Sequence, residues 1–273
     1  MFKKMKRMIC SILAIVGVTA CTATFSACET SNPEVEMKIS FNGKSYTLNY
    51  DLYRKITPTT VNHFLALVEN GYYDGLCIHD YSTDALKTGV YTYENEELKY
   101  KDYFATVASY IPQSVWLDKD KTRPTYTLYG EFEDNDFGVE NGTLKDSFGA
   151  LVMCYETKSG DDQVYVARNS GGLATRSYEY NSATSQFYIS LKTTSASVDD
   201  ECVFATLDEN SKDDLESLQA AITAFVESEY DDEDDFTNDK YGELSDPIDG
   251  ETEVEYSVPS EPIVIEKITV KKY

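Results

Sequence analysis

Apolar and polar residues alternate by twos over 37–41 and again over 45–50, where Tyr46, Leu48 and Tyr50 fall on one side. Between the two runs stands Asn42–Gly43, a pair suited to a two-residue hairpin turn. The period then changes. Val61, Phe64, Leu65 and Val68 recur at helical spacing and predict an amphipathic helix. Thr57 is placed to cap it, Pro58 suits its first position, and Gly71 suits its end. Residues 76–78 read as a short apolar strand. Residues 91–124 are tyrosine-rich and irregular, and are expected to mix loop and short strand. Further strands are predicted over 125–129, 148–153, 185–189 and 202–205. The polar stretch 155–181, with Gly171–Gly172, reads as a surface loop. A second helix is predicted from Ser211, with Asp214 at the capping-box position and Leu215, Leu218, Ile222 and Phe225 as its buried face. Ile263, Ile265 and Ile268 mark a closing strand over 262–270. Strands dominate, with one helix early and one late. The pattern predicts a mainly β fold, an antiparallel barrel capped by two helices, with loop insertions.

Charge changes this picture in one place. The formal net charge is −24, which argues against nucleic acid as a partner and against electrostatic attraction to anionic lipid. Residues 227–255 hold fourteen acidic side chains against one basic residue, Lys240. Such a run is expected to be a solvated insertion rather than packed structure. It contains no Asp-x-Asp-x-Asp-Gly loop of the kind that captures calcium. With two histidines, His63 and His79, and no Cys-x-x-Cys pair, neither a metal nor a cofactor is expected. His63 is expected at the surface and His79 in the core.

The start of the chain sets a location. Lys3, Lys4, Lys6 and Arg7 precede an apolar run over 8–18 and then small residues, the pattern of an export signal. Cys21 and Cys28 each follow a short stretch that resembles a bacterial lipobox, whose cysteine is acylated. Cys28 is preferred, because a polar tether follows it. The expected organisation is a signal peptide over 1–27, a tether over 28–35 and one folded domain over 36–273. The protein is then a monomer held by lipid at the outer face of the cell membrane. Cys77, Cys154 and Cys202 remain, and are expected as buried free thiols.

Several words of this sequence resemble the cyclophilin family of peptidyl-prolyl isomerases. They are Thr-Pro-Thr-Thr-Val-Asn-His-Phe at 57–64 and Asn-Gly-Tyr-Tyr-Asp-Gly at 70–75. Tyr-Gly-Glu-Phe follows at 129–132, Phe-Gly-Ala-Leu-Val-Met at 148–153, and Asn-Ser-Ala-Thr-Ser-Gln-Phe-Tyr-Ile at 181–189. The resemblance implies an eight-stranded antiparallel barrel with two helices, and rotation of the X–Pro amide. It also implies a site for proline-containing peptides. Family members use the arginine of a Phe-His-Arg motif, whose place is taken here by Ile78-His79-Asp80. The family's Phe-Met-x-Gln-Gly-Gly segment corresponds to Ala85-Leu86-Lys87-Thr88-Gly89. By this alignment Leu86, Thr88, Gln186 and Tyr188 bind substrate. A slip of one residue would instead set Lys87 at the glutamine position, where its ammonium can replace the missing cation. Arg168 and Arg176 are further candidates. The family's histidine position falls on Glu201 and its tryptophan position near Ala196, while Trp116 stands elsewhere. Two functions are therefore expected to compete. One is an isomerase assisting the folding of exported proteins. The alternative is a module that binds peptides or a partner protein without turnover. A third possibility assigns the work to the acidic stretch, through cations or basic partners.

Overall fold

The computed structural model describes residues 32–135, 144–156, 162–168, 170–195 and 199–273. The signal sequence, Cys21, Cys28 and Ala196 lie outside the described residues. The first half of the chain forms β1 (Glu34–Phe41), β2 (Lys44–Leu52), α1 (Pro58–Glu69), β3 (Asp80–Tyr81), β4 (Ala85–Thr88), β5 (Tyr91–Glu94), β6 (Glu97–Tyr100), α2 (Tyr103–Val107) and β7 (Val115–Trp116). The second half forms β8 (Leu151–Met153), β9 (Gln163–Ala167), β10 (Leu173–Ser177), β11 (Phe187–Ser190), β12 (Cys202–Leu207), α3 (Lys212–Glu229), β13 (Thr237–Asp246), β14 (Gly250–Pro259) and β15 (Val264–Lys272). Strand β1 begins at Glu34, inside the expected tether, because Val35 is fully buried and pairs with Tyr50 and Val270.

Eight strands make one antiparallel sheet in the order β15-β1-β2-β12-β8-β11-β4-β3. The sheet curls until its two ends meet. Just before β3, Gly75 donates to Ile265 O (2.8 Å), Ile265 to Leu76 O (2.8 Å) and Ile78 to Ile263 O (2.8 Å). These bonds and the Cys77–Val264 bridge join the segment before β3 to the start of β15. The expected antiparallel barrel is thus present, with α1 and α3 packed on its core. The hairpin turn works as predicted, with Asn42 and Gly43 both at positive φ (45° and 72°).

Aromatic rings fill the interior. Phe64 of α1 meets Tyr73, Phe187 and Phe204 at 5.3, 5.6 and 5.1 Å between ring centroids. Leu215, Leu218 and Ile222 of α3 join the same core, and Phe225 lies edge-on to Phe41 at 5.5 Å. The caps differ from expectation. Thr57 makes no side-chain cap on α1; the Glu131 carboxylate accepts the Thr59 and Thr60 N–H groups instead, at 2.9 and 2.8 Å. A carboxylate answers the positive end of the helix better than a hydroxyl does. Ser211 likewise makes no cap bond; its Oγ accepts from the Asn49 backbone and side chain, which ties α3 to β2.

Residues 91–124 mix loop with the short strands β5, β6 and β7, as expected, and add α2. Three stretches fold differently from their reading. The expected loop over 155–181 contains β9 and β10, which join β7 in a three-stranded sheet. Residues 125–129 form no regular strand, because Tyr126 takes a positive φ of 60° and breaks the extension. The largest difference is the acidic stretch. Within it α3 runs on to Glu229, and the rest forms the paired hairpin β13–β14. On β14, Glu251, Glu253 and Glu255 are exposed, while Val254, Tyr256 and Val258 turn inward. Alternation lets the strand keep its charge in water and bury its other side.

Candidate functional site

The site is built on the outward face of the barrel wall. Strand pairing sets Asp80 opposite Lys87, Lys87 opposite Tyr188, Tyr188 opposite Val152, and Val152 opposite Val203. These residues form one row across β3, β4, β11, β8 and β12. Gln186 precedes β11 and points to the same side as Tyr188. Gly89 permits this arrangement. At its φ of 113°, a Cβ would lie 2.3 Å from Ser185 O and 2.8 Å from the Gln186 Cα, so a larger residue would push β11 away.

Two of the expected substrate residues are elsewhere. Leu86 is fully buried in the barrel core, and Thr88 Oγ1 donates inward to Cys77 O at 2.8 Å. A strand alternates its side chains, so Leu86 and Thr88 cannot share the outer face that Lys87 holds. Tyr188 does face outward but is occupied. Its hydroxyl meets Glu201 Oε2 at 2.9 Å and Asp146 Oδ2 at 3.4 Å, and Lys192 pairs with the fully buried Asp146. Beside this network Leu144 packs on Ala150, Val152 and Val203. This part of the wall is therefore covered by buried charge and the chain's own leucine. Glu201, at the family's histidine position, is the partner of that hydroxyl.

Lys87 and Gln186 do come together. They line a cavity of about 160 Å³ with Cys154, Glu156, Ser182 and Thr184. Its opposite wall is the acidic hairpin, through Leu244, Ser245, Asp246, Thr252, Val254 and Tyr256. Lys87 Nζ stands 5.5 Å from the Tyr256 ring centroid. Burial works to lower the lysine's pKa, but Cys154, Tyr256, Asp80 and Glu156 around it hold the pKa above the usual value. The side chain is therefore charged at neutral pH. Gln186 Oε1 is buried without a hydrogen-bond partner. Among the described residues Lys87 is the one cation lining the cavity. Arg168 and Arg176, on and beside the β9–β10 hairpin, do not line it.

His79 lies behind this wall, fully buried, between the rings of Tyr91 (5.0 Å) and Tyr256 (4.8 Å). Burial and the Lys87 charge bring its pKa down to about 3, against a weaker opposing pull from Gln186. It is a neutral core residue, as expected. His63, expected at the surface, is buried as well. Its Nε2 lies 2.9 Å from Thr184 O, and desolvation lowers its pKa to about 4. The helical face that carries Phe64 and Leu65 also tilts His63 inward, against the loop before β11. Cys77 and Cys202 are buried free thiols, and Cys154 is a half-buried one at the cavity. Trp116 sits on β7, away from the cavity. Among the described residues no three His, Cys, Asp or Glu side chains converge as metal ligands, and no helix is long and apolar enough to cross a membrane.

Sequence reading missed the hairpin wall and the loop residues Ser182 and Thr184. Alternation of Thr252, Val254, Tyr256 and Val258 with Glu251, Glu253 and Glu255 was the available signal.

Comparison with known proteins gives the family. The family described as cyclophilin type peptidyl-prolyl cis-trans isomerase/CLD matches residues 35–239, ending three residues into β13. A comparison with curated proteins returns no match. Among solved structures, the chain is similar to a cyclophilin type peptidyl-prolyl cis-trans isomerase from Cryptosporidium parvum. The identity is 14% over 89% of this chain and 99% of that one, with a TM-score of 0.44. A second crystal structure of that protein, in the presence of the dipeptide Ala-Pro, gives 14% identity, 88% and 99% coverage and a TM-score of 0.43. With most of the barrel inside the matched residues, this chain belongs to the cyclophilin-type peptidyl-prolyl cis-trans isomerase family.

Proposed function

We propose that the protein is an exported lipoprotein, acylated on Cys28, whose domain handles X–Pro bonds of exported polypeptides at the membrane surface. The observation that carries the reading is the convergence of Lys87 and Gln186 on one outward cavity. Rotation about X–Pro is slow because resonance stiffens the C–N bond, with a barrier of about 18–20 kcal/mol. As the bond twists, the prolyl nitrogen regains its lone pair. An ammonium N–H directed at that lone pair favours the twisted form over either planar one, which is the condition for catalysis. Lys87 supplies that donor, and the Gln186 amide holds the flanking peptide. Lysine lacks the planar fork of arginine, so the expected acceleration is small by the family's standard.

The test is a prolyl isomerisation assay on residues 32–273. The wild type is expected to exceed the uncatalysed rate, and Lys87→Met to return to it. A wild-type rate equal to background defeats turnover. A second reading, binding without turnover, is favoured by Asp80 at the arginine position, where it accepts from Ser257 N–H rather than supplying a cation. It predicts saturable binding of an Ala-Pro peptide with no acceleration. For the anchor, fatty-acid labelling should vanish in Cys28→Ser and persist in Cys21→Ser; the reverse result moves the anchor to Cys21.

A further inference from the structure

The hairpin β13–β14 is fastened across the outer wall at three points. At its root, Ser257 N–H donates to Asp80 Oδ1 at 3.3 Å, and the Tyr256 ring closes on His79 and Tyr91. In its middle, Tyr91 Oη donates to Glu243 O at 2.9 Å. The same ring lies so close to Gly242 that a Cβ there would sit 2.6 Å from it. Near its tip, Tyr178 Oη donates to Asp246 Oδ2 at 2.6 Å, and Ile248 packs against the cluster of Val115, Val164 and Tyr178. The cavity left beneath is about 160 Å³. Ordinary small-molecule pockets run to roughly 300–1,000 Å³. A peptide flanking an X–Pro bond has no room beside Lys87 and Gln186 while the hairpin is down.

The hairpin also carries its own opposition. Register places Glu243 directly opposite Glu253, both exposed. Like charges directly across an antiparallel pair are destabilising.

We propose that β13–β14 is an autoinhibitory strap, with Asp80 and Tyr178 as positioning residues that hold it over the peptide wall. The proposal rests on the reading that peptides bind on that wall. It gives Asp80 a role: the residue at the family's cation position is the anchor of the segment that closes the site. Peptide affinity is then reduced by the fraction of time the strap is closed.

Cys154 is a probe for opening, since it lines the covered cavity, while Cys202 is buried in the barrel core; Cys77 packs under the hairpin with Tyr256 and Val258 and is uncovered with it. The experiment alkylates residues 32–273 with iodoacetamide, locates the adduct by mass spectrometry, and titrates each variant with a tetrapeptide containing Ala-Pro. Asp80→Ala with Tyr178→Phe is expected to speed Cys154 alkylation by about ten-fold, with Cys202 unchanged, and to tighten peptide binding by a similar factor. Glu243→Lys converts a repulsive cross-strand pair into an attractive one, and is expected to slow alkylation. If both variants alkylate at the wild-type rate, the hairpin is a fixed wall and the strap is overturned. If Cys202 reacts as fast as Cys154 in the double variant, it has unfolded, and the sign of the Glu243→Lys change decides. Faster alkylation without binding by any variant upholds the opening and defeats the peptide reading instead.

Discussion

Inside the barrel, the sheet formed by β4, β11 and β8 presents Leu86, Phe187, Ile189, Leu151 and Met153, all buried and all in one core. Its outer face presents Lys87, Gln186, Tyr188 and Cys154, with an amide, a lysine and a thiol at one cavity. Successive side chains on a strand point opposite ways, so the two faces are chemically independent although they share every peptide bond. A chain can therefore keep the barrel and rebuild the surface on which the family's chemistry takes place. The inner face needs only apolar volume in the right order. The outer face needs particular groups at particular positions, and there Asp80, Lys87 and Tyr188 have formed new partnerships.

Acid should strain both regions, and it gives the largest effect expected. His63 lies on the buried face of α1 and His79 under the hairpin, with pKa values brought down to about 4 and about 3 by burial. In the unfolded chain both titrate near 6.5. The folded state therefore refuses protons that the unfolded state takes, so stability is full above about pH 6.5 and falls as pH drops toward 4. Between pH 7 and 4 the loss should be on the order of 5 kcal/mol, with a slope approaching two protons. The buried Glu131 carboxyl, whose pKa burial raises, offsets part of this at the acid end. Urea unfolding across this range is the measurement. His63→Gln and His79→Gln should each remove about one proton from the slope; a flat profile in the wild type would refute the account.

A test confined to the inner face comes next. Phe187 touches the rings of Phe64, Tyr73 and Phe204 and has no exposed surface. Phe187→Ala should cost about 3–5 kcal/mol in denaturant unfolding, since the tightly packed neighbours cannot collapse into the space. A loss under about 1 kcal/mol would mean that the core is looser than its ring contacts indicate.

The fold was legible in the chain and much of the outer surface was not, for identifiable physical reasons. Val61, Phe64 and Leu65 announce α1 through spacing alone, and Asn42–Gly43 announces its turn through backbone freedom. Both signals are local. Gln186 was assigned to the site by the words around it, and it does line the cavity. Leu86 and Thr88 were assigned to the same wall because the alignment through 80–89 has no internal anchor, and one residue of slip exchanges the faces of a strand. The hairpin was hidden for a different reason. Its carboxylates dominate any average over 227–255, and averaging erases the period of two by which Val254, Tyr256 and Val258 bury themselves. The Glu131 cap and the Tyr188–Glu201 pair join residues far apart in sequence, and no local pattern reports them.

A smaller effect should follow removal of that distant cap. Glu131 has no exposed surface and accepts two N–H groups from the first turn of α1. Glu131→Ala leaves both donors unsatisfied, and about 2 kcal/mol should be lost. Glu131→Gln retains a side-chain carbonyl acceptor and should lose less. Equal losses in the two variants would assign the effect to packing rather than to the cap.

The smallest change in stability should come from the outer face, where the two regions separate most sharply. Gln186 Oε1 makes no hydrogen bond of normal geometry, and its electrostatic partner is the neutral His79, so little hydrogen-bond energy is lost with the amide. Gln186→Leu fills much the same space. Its stability should lie within about 0.5 kcal/mol of wild type. The same variant should weaken binding of an Ala-Pro peptide, because the amide has no substitute at the cavity beside Lys87. Stability from urea unfolding and affinity from calorimetry would then move independently, which an inner-face substitution such as Phe187→Ala cannot do. A large loss of stability in Gln186→Leu would show instead that the amide supports the fold, and the outer face would no longer be separable from the barrel that carries it.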